Sequence, residues 1–137
     1  MGHRTIVYGH VLLFPSREAW PNADEINANA LQALPETDEW PFLVRSMFSI
    51  SENQNVNLAY EYRVLHFGAS YKEIEFEWDE WLQKFERFLS TLLGVTAIVH
   101  MESDHFGNHA YEWVCQPPAE PLPPMAWEFQ GGQRNFT

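Results

Sequence analysis

Apolar and polar positions along the chain follow two different periods, which separate predicted strands from predicted helices. Residues 5–14, TIVYGHVLLF, are β-branched and apolar, which predicts a first strand. Residues 41–51 and 56–67 are two further strand-like runs, and the polar turn at 52–55 predicts a hairpin between them. The small residues at 68–70 are expected to end that hairpin.

Two segments instead repeat their apolar residues every three or four positions, as helices do. The first covers residues 23–34, where Asn22 and the acids that follow it resemble a capping box. The second covers residues 77–93 and has the broader apolar stripe, formed by Trp78, Trp81, Leu82, Phe85, Phe88, Leu89 and Leu92. Apolar and acidic residues alternate over residues 74–78, so two alternatives remain for the segment before the second helix, an extended strand or a helix entry.

Two more strands complete the predicted order. They cover residues 95–102 and 109–116 and are joined by a turn at 106–108. The resulting order, β-α-β-β-α-β-β, predicts an α+β two-layer sandwich in which a mostly antiparallel sheet carries two helices on one face. We expect a ferredoxin-like topology, with the other face of the sheet open to solvent or to an interface.

The chain divides into one domain and a tail. Residues 1–116 carry all the predicted elements and suit a single α/β domain. From residue 117 onward, repeated prolines oppose regular strand pairing and predict a Pro-rich C-terminal tail over 117–137. Two roles remain open for the apolar residues of this tail, docking on the domain or contact with a partner. These residues are Met125, Trp127, Phe129 and Phe136.

Charge and cysteine content then limit the partners and the compartment. Nineteen acidic residues against eight basic ones give a net charge of −11, which disfavours nucleic acid and anionic membranes because phosphate is repelled. A basic protein partner is favoured, with solubility alone as the alternative. Cys115 is the single cysteine and excludes an internal disulfide. Together with the absence of a signal-like start or a long apolar run, this predicts a cytoplasmic protein.

No motif of an enzyme or a cofactor site is present, so we expect no catalytic residue, cofactor or bound metal. The densest group of titratable residues is His100, Glu102, Asp104, His105 and His109. His10 and His66 would join His100 on the open face if their strands are neighbours. The alternative function is therefore an enzyme that binds a metal or a small ligand through these histidines.

Two acidic segments beside tryptophan are the predicted partner-binding residues. One lies between Pro35 and Pro41, and the other lies at the start of the second helix. Carboxylates would steer a basic partner and aromatic rings would anchor it, although a solvated helix entry is the alternative for the second segment. The predicted set is Glu36, Asp38, Glu39, Trp40, Glu73, Glu75, Glu77, Trp78, Asp79 and Glu80.

Two blocks of the sequence resemble a group of small acidic bacterial proteins. They are LFPSREAWPNADEINANALQALPETDEWPFLVRSMFSIS and HFGASYKEIEFEWDEWLQKFERFL, and the resemblance covers about residues 5–116 without the tail. Proteins of this size and charge are similar to immunity proteins, which neutralise a toxin delivered by a neighbouring cell. The resemblance implies a non-enzymatic protein that masks a basic toxin domain, and it assigns no site residue. A structural or regulatory subunit that pairs through its sheet face is the remaining alternative.

Overall fold

The computed structural model of the chain describes residues 2–51, 62–116 and 124–136. Two short 3-10 helices cover Arg45–Met47 and Ile74–Glu77. The main elements are β1 (Arg4–Leu13), α1 (Ala23–Gln32), β2 (Phe48–Ile50), β3 (Arg63–Lys72), α2 (Trp78–Leu89), β4 (Gly94–Ser103), β5 (Gly107–Cys115) and β6 (Trp127–Phe129). In these ranges no helix is long and apolar enough to cross a membrane.

The strands form one antiparallel sheet in the order β2-β3-β1-β4-β5-β6. The part of the sheet formed by β2, β3, β1 and β4 has the strand order of a ferredoxin-like fold, in which two βαβ halves interleave. Strands β5 and β6 extend the sheet beyond β4. The central strand β1 pairs with β3 from Arg4↔Lys72 to Leu13↔Arg63 and with β4 on its other side. The prediction of an α+β two-layer sandwich is confirmed.

Odd-numbered positions of the four long strands face the helices, and even-numbered positions face away. Val7, Leu65, Val99 and Trp113 lie on the helix side and are at most 1% exposed. Because the register pairs odd positions with odd positions on neighbouring strands, apart from a shift at Leu13↔Gly94, the alternation stays in phase across the sheet. The even-numbered side is called the open face below.

Helix α2 supplies the centre of the core. The rings of Trp78 and Trp81 stack with centroids 5.0 Å apart, and the ring of Phe85 lies 5.5 Å from that of Trp81. Phe85 also contacts Phe67 and Trp113 of the sheet, at 5.3 and 5.2 Å. The apolar stripe predicted for this helix is therefore its buried face, and large aromatic rings provide most of the apolar area that it removes from water.

One buried amide ties α1 to the sheet. Asn27 is 2% exposed, and its Nδ2 donates to the carbonyl oxygen of Leu93 at 3.1 Å. Its Oδ1 accepts the amide hydrogen of Leu93 at 2.8 Å, and Nδ2 lies 3.5 Å from the carbonyl oxygen of Phe14. These bonds satisfy backbone groups that the fold removes from water where β4 begins.

Several boundaries differ from the sequence prediction. Strand β2 has only three residues, because positions 41–47 form a loop and a 3-10 helix in which the carbonyl oxygen of Phe42 accepts the Tyr71 hydroxyl at 2.8 Å. Strand β3 continues through residues 68–70, which were expected to end it. The segment before α2 is a helix entry rather than a strand extension. The predicted turn and strand start at 52–61 lie outside the described residues.

Residues 124–136 of the tail pack against the domain. Strand β6 pairs with β5 through Trp113↔Phe129, and Met125 and Phe136 are 5% and 6% exposed. The Arg134 guanidinium binds two carboxylates of α2. In this part of the tail, docking is therefore the role observed, and residues 117–123 lie outside the description.

Candidate functional site

Two of the ten predicted partner-binding residues are buried, which removes them from any partner-binding surface. Trp78 is 0% exposed, because the spacing of the apolar stripe places it under the sheet, 5.4 Å from the ring of Tyr111. Glu75 is 1% exposed, because the 3-10 helix before α2 turns its side chain toward Thr5 of β1. The predicted site is corrected at these two positions.

The carboxyl group of Glu75 is only half satisfied in this environment. Thr5 donates its hydroxyl to Oε1, whereas Oε2 makes no hydrogen bond with the described residues. Burial raises the pKa of Glu75, against smaller opposing effects of its own backbone amide, the Ser103 hydroxyl and His3. The turn that places it here starts at Glu73, whose φ of 52° is left-handed and strained for a residue other than glycine.

Two further predicted residues are held in internal ion pairs. Asp38 Oδ2 lies 2.7 Å from Lys84 Nζ and accepts the amide hydrogen of Leu43 at 3.1 Å. Although partial burial disfavours its charge, these two donors hold the pKa of Asp38 below its ordinary value. The Arg134 guanidinium lies 2.6 Å from Asp79 Oδ1 and lowers the pKa of that carboxyl. Both carboxylates therefore serve the fold and contribute little free charge to the surface.

Trp40 is the most accessible tryptophan in the described chain. Its side chain is 45% exposed and meets the rings of Phe42 and Tyr71 edge-on, each at 5.9 Å. Lys84 fixes the surrounding loop, because its ammonium also donates to the carbonyl oxygens of Glu39 and Pro41 at 3.0 and 2.9 Å. The indole is therefore both exposed and held in a defined position.

The remaining predicted residues gather at one end of the sheet. Tyr71, on which Trp40 packs, is close to the end of β3, and the next turn carries Phe76, which is 53% exposed. Glu80 lies one helical turn before Lys84, on the side of α2 that holds the Trp40 loop. We call this surface the acidic end and define it as Glu39, Trp40, Glu73, Phe76, Glu77 and Glu80. Glu36, whose side chain is 82% exposed, lies 3.4 Å from Arg45 and stands at its margin.

Phe76 is an exposed residue within the predicted acidic segment, although it is not one of the ten predicted partner-binding residues. In the described ranges only Tyr8, Trp40 and Phe76 are large hydrophobic residues with a substantially exposed side chain, and two of the three belong to the acidic end. The flanking acids Glu75 and Glu77 were the available signal, but they do not tell which side of a single 3-10 turn faces water.

Three histidines of the strands lie on the open face, where the pairing of the strands sets His10 beside His66 and places His100 in the next row. His10 lies directly opposite His66 of β3, and the ring of His100 on β4 stacks on Tyr8 at 5.0 Å. The Tyr8 hydroxyl donates to Glu102, and this bond raises the pKa of Tyr8. The phenol therefore keeps its proton and acts as a hydrogen-bond donor rather than as a nucleophile.

The dense group between residues 100 and 109 does not converge. His100 projects from the open face and His109 from the helix side, where its Nε2 lies 2.9 Å from the carbonyl oxygen of Phe106. His105 is in the β4–β5 turn and stacks on His3 at 4.4 Å. Across residues 2–51, 62–116 and 124–136, no three histidine, cysteine or acidic side chains are placed to hold a metal ion.

Two surface grooves and the cysteine are further candidate sites among the residues that the structure describes. A groove of about 470 Å³ lies between α1 and the β2 edge, where Arg63 forms an ion pair with Asp24 at 2.8 Å. A second groove of about 300 Å³ separates α1 from α2 beside Lys84. Cys115 is buried, and burial raises the pKa of its thiol, so it behaves as a small apolar side chain.

No known protein family, curated protein or solved structure gives a significant match to the chain. Function is therefore inferred from two accessible surfaces of the described chain, the acidic end and the open face.

Proposed function

We propose that the protein is a non-enzymatic, cytoplasmic module that binds a basic protein partner through the acidic end, as an immunity protein does when it masks a toxin domain. One observation carries this proposal: Trp40 is exposed and held in a defined position on the acidic end, where three carboxylates form no ion pair with the described residues. These carboxylates are Glu39, Glu77 and Glu80.

The fixed position of Trp40 favours its use as an anchor. Tryptophan is enriched among the few residues that supply most of the free energy of an interface, about 2 kcal/mol or more each. Three donor contacts from Lys84 to the residues 38–41 loop, of 2.7 to 3.0 Å, hold this loop before any partner arrives. Binding therefore orders little additional chain, which preserves affinity.

The charge distribution favours a basic partner over a neutral one. Lys84 and Arg134 neutralise Asp38 and Asp79, so the negative charge at this end comes from Glu39, Glu77 and Glu80, with Lys72 at the end of β3 as an opposing charge. Such exposed charges accelerate encounter with a lysine- or arginine-rich surface and act over a screening length of about 8–10 Å. The exposed ring of Phe76 adds apolar area at the same end.

Affinity capture from the native host tests the proposal with matched variants. The test variants are Trp40→Ala and the double reversal Glu39→Lys, Glu80→Lys. The control is Glu18→Lys, Glu25→Lys, which changes the net charge equally but lies at the opposite end, after β1 and in the first turn of α1. We expect one basic protein to be captured by the wild type and the control and to be lost from both test variants.

The captured protein then allows two quantitative measurements. Surface plasmon resonance at two salt concentrations should show an association rate that falls as salt rises. Expression of the captured protein alone should arrest growth, and co-expression of the wild-type chain, but not of Glu39→Lys, Glu80→Lys, should restore it. A partner that binds both test variants like the wild type, with a salt-independent association rate, would contradict the proposal.

A further inference from the structure

We propose that the open face is an interface with a second copy of this chain, related to the first by a two-fold axis that runs parallel to the strands between β1 and β4. This surface is separate from the acidic end and does not depend on the function proposed for it.

The open face has lost the acidic character of the rest of the protein. At the outward positions of the four long strands only Glu102 and Glu112 are acidic, and only Arg4 and Lys72 are basic. The formal charges of this face therefore cancel, although the whole chain has a net charge of −11. Tyr8, which is 38% exposed, lies near its middle. A neutral centre with an exposed aromatic ring is typical of an interface core.

One pair of titratable groups is also placed as a two-fold axis requires. His66 on β3 and Glu112 on β5 lie in the same row across the sheet, because His10 pairs with His66 and with Ile98, and Ile98 pairs with Glu112. A two-fold axis between β1 and β4 places β3 of one copy over β5 of the other. His66 then faces Glu112 of the second copy, and the same contact occurs twice.

Neighbouring rows match under the same operation. Gly68, Tyr8, His100 and Ala110 form one row, so Gly68 meets Ala110 of the second copy and Tyr8 meets His100. Gly68, which has no side chain, thus opposes the small side chain of Ala110, and this pair allows the sheets to approach. Strand directions of the two copies stay within about 30°, which is the aligned packing seen in β-sandwiches.

The available area suits a specific dimer. Strands β1, β3 and β4 have ten residues each and β5 has nine. At about 4.8 Å per strand and about 3.4 Å per residue, the four strands cover about 19 by 34 Å, or about 650 Å² per copy. Two copies bury about 1,300 Å², which lies at the lower end of the range of about 1,200–2,000 Å² for specific interfaces.

Sedimentation velocity of the full chain over a concentration series tests this proposal. The wild type should sediment as a dimer that dissociates on dilution. Ala110→Arg should give a monomer, because a large charged side chain would meet Gly68 of the second copy. His66→Glu should weaken dimerisation by about tenfold or more through repulsion from Glu112. The double variant His66→Glu, Glu112→Lys should restore it, and Glu80→Lys at the acidic end should leave it unchanged.

Each outcome of the experiment decides the proposal. A wild type that remains monomeric at the highest concentration would overturn it. A dimer that persists in Ala110→Arg would place the interface elsewhere and would also overturn it. Far-UV circular dichroism separates loss of dimer from loss of fold. Recovery of dimerisation in the His66→Glu, Glu112→Lys variant would identify the predicted facing pair, and this result does not depend on the Ala110→Arg variant.

Discussion

Replacing Glu75 by glutamine should stabilise the protein at neutral pH and leave its stability unchanged in acid. The side chain is 1% exposed, its Oε1 accepts the Thr5 hydroxyl, and its Oε2 has no partner in the described chain. An unsatisfied buried acceptor costs about 1–3 kcal/mol, and a charged one costs more. Glutamine keeps the shape and the acceptor for Thr5, and its amide nitrogen is as unpartnered as Oε2 was, so the gain comes from removing the buried charge alone. We expect about 1 kcal/mol or more at pH 7 to 8.

The direction of the pH dependence follows from the raised pKa of Glu75. Because burial raises the pKa in the folded state above the unfolded value, the native protein holds this proton more tightly than the unfolded chain. The wild type therefore loses stability as pH rises from the unfolded pKa, about 4.3, through the folded one. Below that window the carboxyl is protonated in both states, so the free energies of unfolding of the wild type and Glu75→Gln converge.

Urea denaturation followed by circular dichroism, at a series of pH values from acid to weakly alkaline, measures this difference. The matched control is Glu73→Gln, because Glu73 is two residues away and its side chain is 38% exposed. Its effect should stay within about 0.5 kcal/mol. A Glu75→Gln variant that is less stable than the wild type by the same amount at every pH would refute the reasoning, since it would show a carboxylate that is well stabilised where it lies.

Two further substitutions test the contacts that hold the tail and α1. Arg134→Met should lower the free energy of unfolding at pH 7 by about 1–3 kcal/mol, because it leaves Asp79 and Glu86 without their shared guanidinium. Arg134 lowers the pKa of both acids, so this difference should vanish as pH falls through their folded pKa values, which a urea series checks. Asn27→Ala should cost about 1–3 kcal/mol by leaving the buried amide of Leu93 unpaired, as thermal and urea unfolding would show; the Leu93 carbonyl oxygen keeps the Phe14 amide as its donor.

The predicted elements that match the structure are those in which the spacing of the apolar residues along the sequence agrees with their burial in the fold. Helix α2 was expected over 77–93 and spans Trp78–Leu89, because its apolar residues recur every three or four positions and all face the sheet. Strand β1 was expected over 5–14 and spans Arg4–Leu13. The ferredoxin-like order of β1 to β4 follows from the chain order and from short connections, since few antiparallel arrangements satisfy both.

The elements that differ are set by contacts far along the chain. The small residues 68–70 read locally as a turn, yet Gly68 lies on the open face opposite Tyr8, where no side chain is needed to fill a core. Strand β6 has three residues. Its pairing with β5 depends on the packing of apolar tail residues against the domain and on the ion pair of Arg134 with α2. A proline-rich local sequence contains no signal for such a distant contact.

The candidate site shows the same distinction between local pattern and tertiary placement. Trp78 belongs to the same helical stripe as Trp81 and Phe85, so its burial was available from the spacing alone. The burial of Glu75 could not be predicted from the sequence, because a glutamate in an acidic run has no sequence feature that marks it as internal. The ion pairs of Asp38 and Asp79 depend on Lys84 and Arg134, which are distant in sequence.

The two proposed surfaces are compatible in a single assembly. The acidic end lies where β3 ends and α2 begins, beyond the strand ends, whereas the open face lies across the flat of the sheet. Packing two sheets face to face therefore leaves Trp40 exposed on both copies, and the cancelled charges of the open face let two acidic chains approach each other. A dimer should consequently bind two basic partners, and Ala110→Arg, which separates the copies, should leave the affinity of each acidic end for its partner unchanged.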